Sequence, residues 1–297
     1  MSSQQNQGPT PPAREEEPAS NLTPLSNNDL FTTLCPSYEV AFANIPARDN
    51  SLSWLLAKLA DRDTFPPHPR PWIHDALPPR LQRKHILDIG SGTGRPVCSA
   101  LAEAGHSVLG IDLCPAMVEF AKQNVAALYP DGRAEFAEAD VRKFEPERDD
   151  PFFKAQTEVL RAKRESWEEG DPEGYHAVTA YFSLLAGFET QKEIKEVIKK
   201  VCYWLREGGL FVLGTVPMDV EGEVIGWMGK PVTVSSLSRS KVWEAVREVG
   251  FEVDWEVTSK FVPKAVEAGI LKPEEAKKAW EEEHLFVYAV KTWYPEE

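Results

Sequence analysis

The chain has 297 residues, 42% of them hydrophobic, enough for one large domain with a sizeable core and some additions. A formal net charge of −14 makes the surface repel polyanions, and no basic stretch offsets it, so nucleic acid is excluded as an expected partner. Cys35, Cys98, Cys114 and Cys202 lack metal or disulfide spacing, and no run is long enough to span a bilayer. The expectation is therefore a soluble cytoplasmic protein with free thiols, no metal centre and no membrane insertion.

Residues 1–28 are rich in Pro, Gln, Asn, Ser and Glu and read as a disordered tail, because they cannot bury enough apolar surface to offset ordering. Residues 29–79 read as a helical cover and connector. Tyr38 and Phe42, then Leu52, Leu55, Leu56 and Leu59, fall at helical spacing, with Asn50 or Ser51 as a cap for the second segment. A proline-rich connector from Phe65 to Pro79 follows, whose Trp72 and His74 read as packing or surface residues.

Ile86 to Ile89 is a short, partly β-branched apolar run that enters Gly90-Ser91-Gly92-Thr93-Gly94 and then a helical pattern. This predicts a buried strand turning sharply into a helix, with main chain that a ligand can approach closely and unpaired N–H groups that can receive an anion. Arg95 stands where a dinucleotide fingerprint needs its third glycine, and no Gly-Lys-Ser/Thr follows, so neither a dinucleotide site nor a P-loop is expected.

A helix bearing Val97, Leu101 and Ala104 stops at Gly105, and the next strand, Ser107 to Ile111, ends at Asp112. An acid there can accept hydrogen bonds from both hydroxyls of a ribose; the other reading is an acid in the first turn of the helix that starts at Pro115 and carries Met117. A third strand, Ala134 to Ala137, leads to Asp140-Val141, where the acid is either a ligand group or a turn residue. Phe153, Leu160 and Trp167 recur at seven-residue spacing in an insertion over about 146–173, which predicts an amphipathic helix of roughly four turns. It either packs against the domain edge or covers the substrate pocket.

Tyr175 to Tyr181 is the fourth strand, with Phe182 at its carboxyl end and His176 at the end away from any ligand. Ile194, Val197, Ile198, Val201 and Leu205 mark an amphipathic helix ending at Gly208-Gly209, and Leu210 to Val216 a fifth strand. After Trp227, Met228 and a Val232-Thr233-Val234 run, Ser238 can cap a helix to Val249. Phe251 to Val257 and Glu283 to Thr292 are the last strands, with a second helical insertion over 258–282 between them. Alternating strands and helices imply an α/β, Rossmann-like parallel sheet with helices on both faces and ligands at the carboxyl ends of its strands.

Leu87-Asp88-Ile89-Gly90-Ser91-Gly92-Thr93-Gly94, followed by Asp112 and Asp140 at the next two strand ends, resembles the class I S-adenosylmethionine-dependent methyltransferases over about residues 80 to 292. The segment Trp204 to Val212 resembles the one that leads into the fifth strand of that family. The terminal Glu283 to Ala289 and the preceding helices are similar to those of small-molecule methyltransferases of fungal secondary metabolism. The resemblance implies a seven-stranded sheet with an antiparallel last strand in a domain spanning 80–297. It implies S-adenosyl-L-methionine as cofactor, held by Asp88, the loop Gly90, Ser91, Gly92, Thr93 and Gly94, the ribose acid Asp112 with Leu113 and Met117, and Asp140 with Val141 at the adenine. Tyr38, Phe42, Phe182, Trp227 and Met228 are the apolar candidates for a small-molecule acceptor site.

An antiparallel last strand starts at the ligand end of the sheet, which makes His284 the candidate base or else a packed histidine. The expected activity is methyl transfer to oxygen or nitrogen of a small organic molecule. The alternatives are a methyltransferase-like cyclase or rearrangement catalyst and a non-catalytic regulator that keeps the fold.

Overall fold

The computed structural model describes residues 23–61, 64–65, 79–162, 174–275 and 281–292. Among the described residues there are nine strands: β1 His85–Ile89, β2 Ser107–Asp112, β3 Ala134–Glu138, β4 Tyr175–Tyr181, β5 Leu205–Thr215, β6 Glu223–Trp227, β7 Lys230–Val234, β8 Phe251–Phe261 and β9 Glu282–Lys291. Seven of them make one sheet in the order β3-β2-β1-β4-β5-β9-β8. β1 to β5 are mutually parallel, and β9 runs antiparallel between β5 and β8. The strand order reverses between β1 and β4, which places a crevice at their carboxyl ends.

The helices are α1 Asn27–Ala41, α2 Pro46–Ala60, α3 Val97–Glu103, α4 Pro115–Asn124, α5 Pro146–Asp149, α6 Pro151–Ala162, α7 Gln191–Trp204 and α8 Arg239–Glu248. Strand alternation sends Ile86 and Phe286 to one face of the sheet, where they pack with Leu55, Leu59, Leu101 and Val118 of α2, α3 and α4. It sends Leu87 and Val287 to the other face, against Ile194, Ile198 and Val242 of α7 and α8. α7 opens with a capping box in which the Thr190 hydroxyl accepts from the Glu193 N–H and the Glu193 carboxylate accepts from the Thr190 N–H.

Several boundaries differ from expectation. The tail reading over 1–28 gives way to order from residue 23: the Leu25 N–H donates to the Pro231 carbonyl, and Ser26 caps α1 through the Asp29 N–H. Residues 1–22 lie outside the described residues, as do Trp72, His74 and Trp167. α2 begins at Pro46, so Asn50 and Ser51 lie inside it, because a proline at the first helical position starts the helix earlier. α7 ends at Trp204, and β5 continues from Leu205 through the two glycines.

The described part of the first insertion contains α5 and α6 and does not cover the crevice. Phe152 stacks on His85 with ring centroids 4.0 Å apart and Phe153 lies 5.2 Å from Tyr175, residues that begin β1 and β4 at the opposite end of the sheet. The second insertion is not helical in its described part: β8 runs to Phe261, and turns follow at 265–269 and 273–275. The chain after β5 folds into a β6–β7 hairpin whose two-residue turn, Met228-Gly229, has φ of +50° and +72°, the geometry that matches strand twist.

Candidate cofactor and acceptor cleft

The crevice at the β1–β4 switch is a cleft with about 1230 Å³ of empty space, its open mouth included. The loop after β1 forms its floor. Gly90 has φ +65°, and a Cβ there would lie 2.2 Å from the Cβ of Ser183, so glycine lets the loops after β1 and β4 meet. Gly92 has φ +53° and nothing within 4 Å of where a Cβ would stand; its missing side chain leaves space in the cleft itself. The Asp88 carboxylate lies beneath the loop, accepting from Thr179 Oγ1 at 2.7 Å and Cys98 Sγ at 3.1 Å. Burial pushes its carboxyl up to about 6, against those two hydrogen bonds.

Asp112 ends β2 facing this loop. Its Oδ2 accepts from the Gly92 N–H at 2.9 Å and its Oδ1 from the Cys114 N–H at 2.8 Å. Each oxygen keeps a further lone pair, and Asp112 lines the cleft, so the carboxylate can accept a pair of ligand hydroxyls. Burial raises its pKa, opposed by the N–H donors of Cys114, Gly92 and Leu113. Leu113, 43% exposed, and buried Met117 line the same wall. Asp140 and Val141 complete it after β3. The Asp140 carboxylate receives Arg142 Nε at 2.9 Å and Nη2 at 3.0 Å; burial raises its pKa, and the Arg142 hydrogen bonds outweigh that, so the group is held below the usual carboxylate range. Arg142 therefore shares this end of the cleft, a contact the sequence reading did not include.

The hydroxyls of Ser91, Thr93 and Ser183 are buried around the loop with no hydrogen-bond partner among the described residues. Buried polar groups are ordinarily paired. Three orphans beside an open glycine loop fit a polar ligand that supplies the partners. Among the described residues no cluster of His, Cys, Asp and Glu could hold a metal.

Across the cleft stand Tyr38 and Phe42, brought over the crevice by α1, and Phe182 at the end of β4. Phe182 has φ +56°, an uncommon backbone conformation for an aromatic residue, and its N–H donates to the Gly214 carbonyl at 2.7 Å. Trp227 and Met228 do not line the cleft, a correction to their expected role. Trp227 stacks behind Phe42 at 5.7 Å and donates to Glu282 Oε1 at 3.0 Å, while Met228 is buried in the hairpin turn. The hairpin, unseen in the sequence, turns these side chains into the support of the wall.

His284 also misses the cleft. It is 1% exposed, with its ring 4.5 Å from that of Phe182 and Nε2 2.9 Å from Glu282 Oε2, so one aromatic side chain separates it from the ligand space. The expected antiparallel strand does bring it to the ligand end. His176 lies at the other end, where its Nδ1 accepts from the His85 N–H at 3.1 Å; burial and the charge of Arg206 hold it well below its ordinary pKa. Sequence periodicity gave no signal for Arg48 and Tyr181, which also line the cleft.

Residues 86–158 match a family model described as Methyltransferase domain. A stretch of 59 residues is 42% identical to the Bacillus subtilis protein named "Putative methyltransferase YqeM", covering 20% of this chain and only 22% of that relative's length. Among solved structures, the cyclase SpnF is similar with a TM-score of 0.55 at 15% identity, over 89% of this chain and 95% of that one. The magnesium protoporphyrin IX methyltransferase ChlM of Synechocystis PCC 6803, with bound S-adenosylhomocysteine, is similar with a TM-score of 0.51 at 13% identity, over 89% and 97%. At such identities the structural likeness is one of fold. The fold is thus Rossmann-like, and residues 86–158, which hold the glycine loop and the strand-end acids, are similar to a methyltransferase domain.

Proposed function

We propose that the chain transfers a methyl group from S-adenosylmethionine to an oxygen or nitrogen of a small organic acceptor, a secondary metabolite, in the cytoplasm. The observation that carries this reading is Asp112: a carboxylate fixed by two loop N–H groups at the end of β2, with lone pairs left over toward an open cleft. The residues present fit the cofactor. Asp112 would receive the ribose hydroxyls, the Gly90 to Gly94 loop the methionine part with Asp88 beneath it, and Asp140 with Val141 the adenine. The orphan hydroxyls of Ser91, Thr93 and Ser183 would find partners there.

Bound S-adenosylmethionine supplies an electrophilic methyl group on a sulfonium. The chain's own contribution is to hold an acceptor against that methyl and exclude water, which Tyr38, Phe42 and Phe182 support by walling the other side of the cleft. Residues 29–79 would then serve as the helical cover and connector and 80–297 as the methyltransferase domain. No histidine lines the cleft among the described residues, so an acceptor that arrives protonated would lose its proton to another lining group or to solvent.

A second reading is a cyclase or rearrangement catalyst on the same fold, which the likeness to SpnF allows in fold alone. Incubation with S-adenosylmethionine and a panel of phenols, amines and carboxylic acids distinguishes them. Methyl transfer predicts S-adenosylhomocysteine release and one added CH2 in product mass. A product isomeric with its substrate, with no S-adenosylhomocysteine, would favour the second reading.

A further inference from the structure

The acids of the cleft, Asp88, Asp112 and Asp140, all stand at the strand ends. The opposite side is aromatic, with one cation set into it. Arg48, in the first turn of α2, lines the cleft with its side chain only 11% exposed. Its partners account for part of its donors. Nη1 donates to the Phe42 carbonyl at 3.0 Å, and Nε and Nη2 reach Asp49 Oδ1 at 3.3 and 3.2 Å. A guanidinium has five N–H groups, so one on each terminal nitrogen has no partner among the described residues.

The ion pair itself is weak. Asp49 is the next residue in sequence, its side chain is half exposed, and both contacts fall on one oxygen at long distance. The bond to Phe42 ties α2 to the end of α1 and needs a single N–H. Neither contact explains a largely desolvated guanidinium on an aromatic wall. The other arginines of the cleft are placed differently: Arg142 is engaged by Asp140, and Arg95 Nη2 donates to the Asn124 carbonyl at 3.3 Å. Ile45, which precedes α2, lines the cleft without a side-chain cap, so the positive end of that helix adds to the field at the same place.

We propose that Arg48 is a carboxylate receptor at the cover side of the cleft, using the donors left on its two terminal nitrogens. Two terminal N–H groups of one planar fork match the two oxygens of a carboxylate. The carboxylate belongs either to the acceptor, which is then an aromatic or other flat acid suited to Tyr38 and Phe42, or to the amino-acid end of the cofactor. This inference rests on the methyl-transfer reading for its ligands.

The test is calorimetry on the full chain and on Arg48→Met, with S-adenosylhomocysteine and with 5′-methylthioadenosine, which lacks the amino-acid end. Aromatic acids and their primary amides are then titrated into protein saturated with S-adenosylhomocysteine. If the carboxylate is the acceptor's, the wild type prefers acids over amides by about tenfold or more, roughly 1.4 kcal/mol. Arg48→Met then abolishes that preference and leaves S-adenosylhomocysteine affinity intact. If the carboxylate is the cofactor's, Arg48→Met weakens S-adenosylhomocysteine by the same factor and leaves 5′-methylthioadenosine unchanged.

Arg48→Lys, which keeps the charge and loses the fork, falls between wild type and Arg48→Met in the affected titration. Retained 5′-methylthioadenosine binding shows that each variant is folded. Unchanged S-adenosylhomocysteine affinity in Arg48→Met, together with no acid-over-amide preference in the wild type or an undiminished one in the variant, overturns the proposal. Failure of the wild type to bind either nucleoside would instead strike the methyl-transfer reading.

Discussion

Gly90 and Gly92 share a left-handed backbone and differ in what surrounds them, which separates folding from binding at two neighbouring positions. Gly90→Ala places a methyl group into the Ser183 side chain and should cost at least about 2 kcal/mol, read as a lower denaturation midpoint. Gly92→Ala meets no protein atom and should cost only about 1 kcal/mol for its backbone, yet weaken S-adenosylmethionine binding by projecting into the cleft. Equal stability losses in the two variants would contradict this placement.

Asp88 carries a pH signature. Its folded carboxyl, raised to about 6 from 3.8, binds a proton that the unfolded chain has already released between those values, so its contribution to stability falls as pH rises through about 4 to 6. The full effect is on the order of 3 kcal/mol from a shift of roughly two units. Asp88→Asn should flatten that part of the stability curve relative to wild type, as urea titrations across the range would show. An unchanged slope would mean that Asp88 titrates as an ordinary surface acid.

At the scale of elements, the cover is held from behind. Trp227 of β6 stacks on Phe42, the residue that ends α1 as its cap, and bonds Glu282 of β9, so one side chain joins hairpin, helix end and sheet. Trp227→Ala should cost about 2 to 4 kcal/mol, from the space left behind and the partner removed from a buried carboxylate. Because Trp227 touches the acceptor wall and not the glycine loop, S-adenosylmethionine affinity should stay within about threefold of wild type. A large loss of that affinity would place the hairpin in the cofactor site.

The same elements show what was legible in the sequence. Strands β1 to β5 and the acids at their ends read directly, because a buried parallel strand is a short apolar run and a ligand-facing end breaks it with glycine or an acid. The β6–β7 hairpin did not, since its turn is Met228-Gly229 and its half-buried strands are interrupted by Gly226 and Pro231. The charged stretch after β8 matched a helical pattern, yet its described part folds as turns. The heptad of Phe153 and Leu160 marked a real helix and said nothing of which end of the sheet it joins. Arg48 was silent because a single arginine in a helix looks like a surface residue until packing desolvates it.

For the whole molecule, a chain of net charge −14 folds around a cleft with Asp88, Asp112 and Asp140 at the strand ends and Arg48 on the cover side. A ligand spanning that cleft touches loops from β1, β2, β3 and β4 and the cover helix together, so binding should stabilise the native state as a unit. At a cofactor concentration of 100 times its Kd the gain is about 2.7 kcal/mol, visible as a rise in Tm that Asp112→Ala should largely abolish. The most direct test of the cofactor site is calorimetric titration of the purified chain with S-adenosylmethionine, repeated on Asp112→Ala. Binding in the micromolar range is expected, weakened about tenfold or more in the variant. No binding by a folded wild-type sample, or equal affinity in the variant, would contradict it.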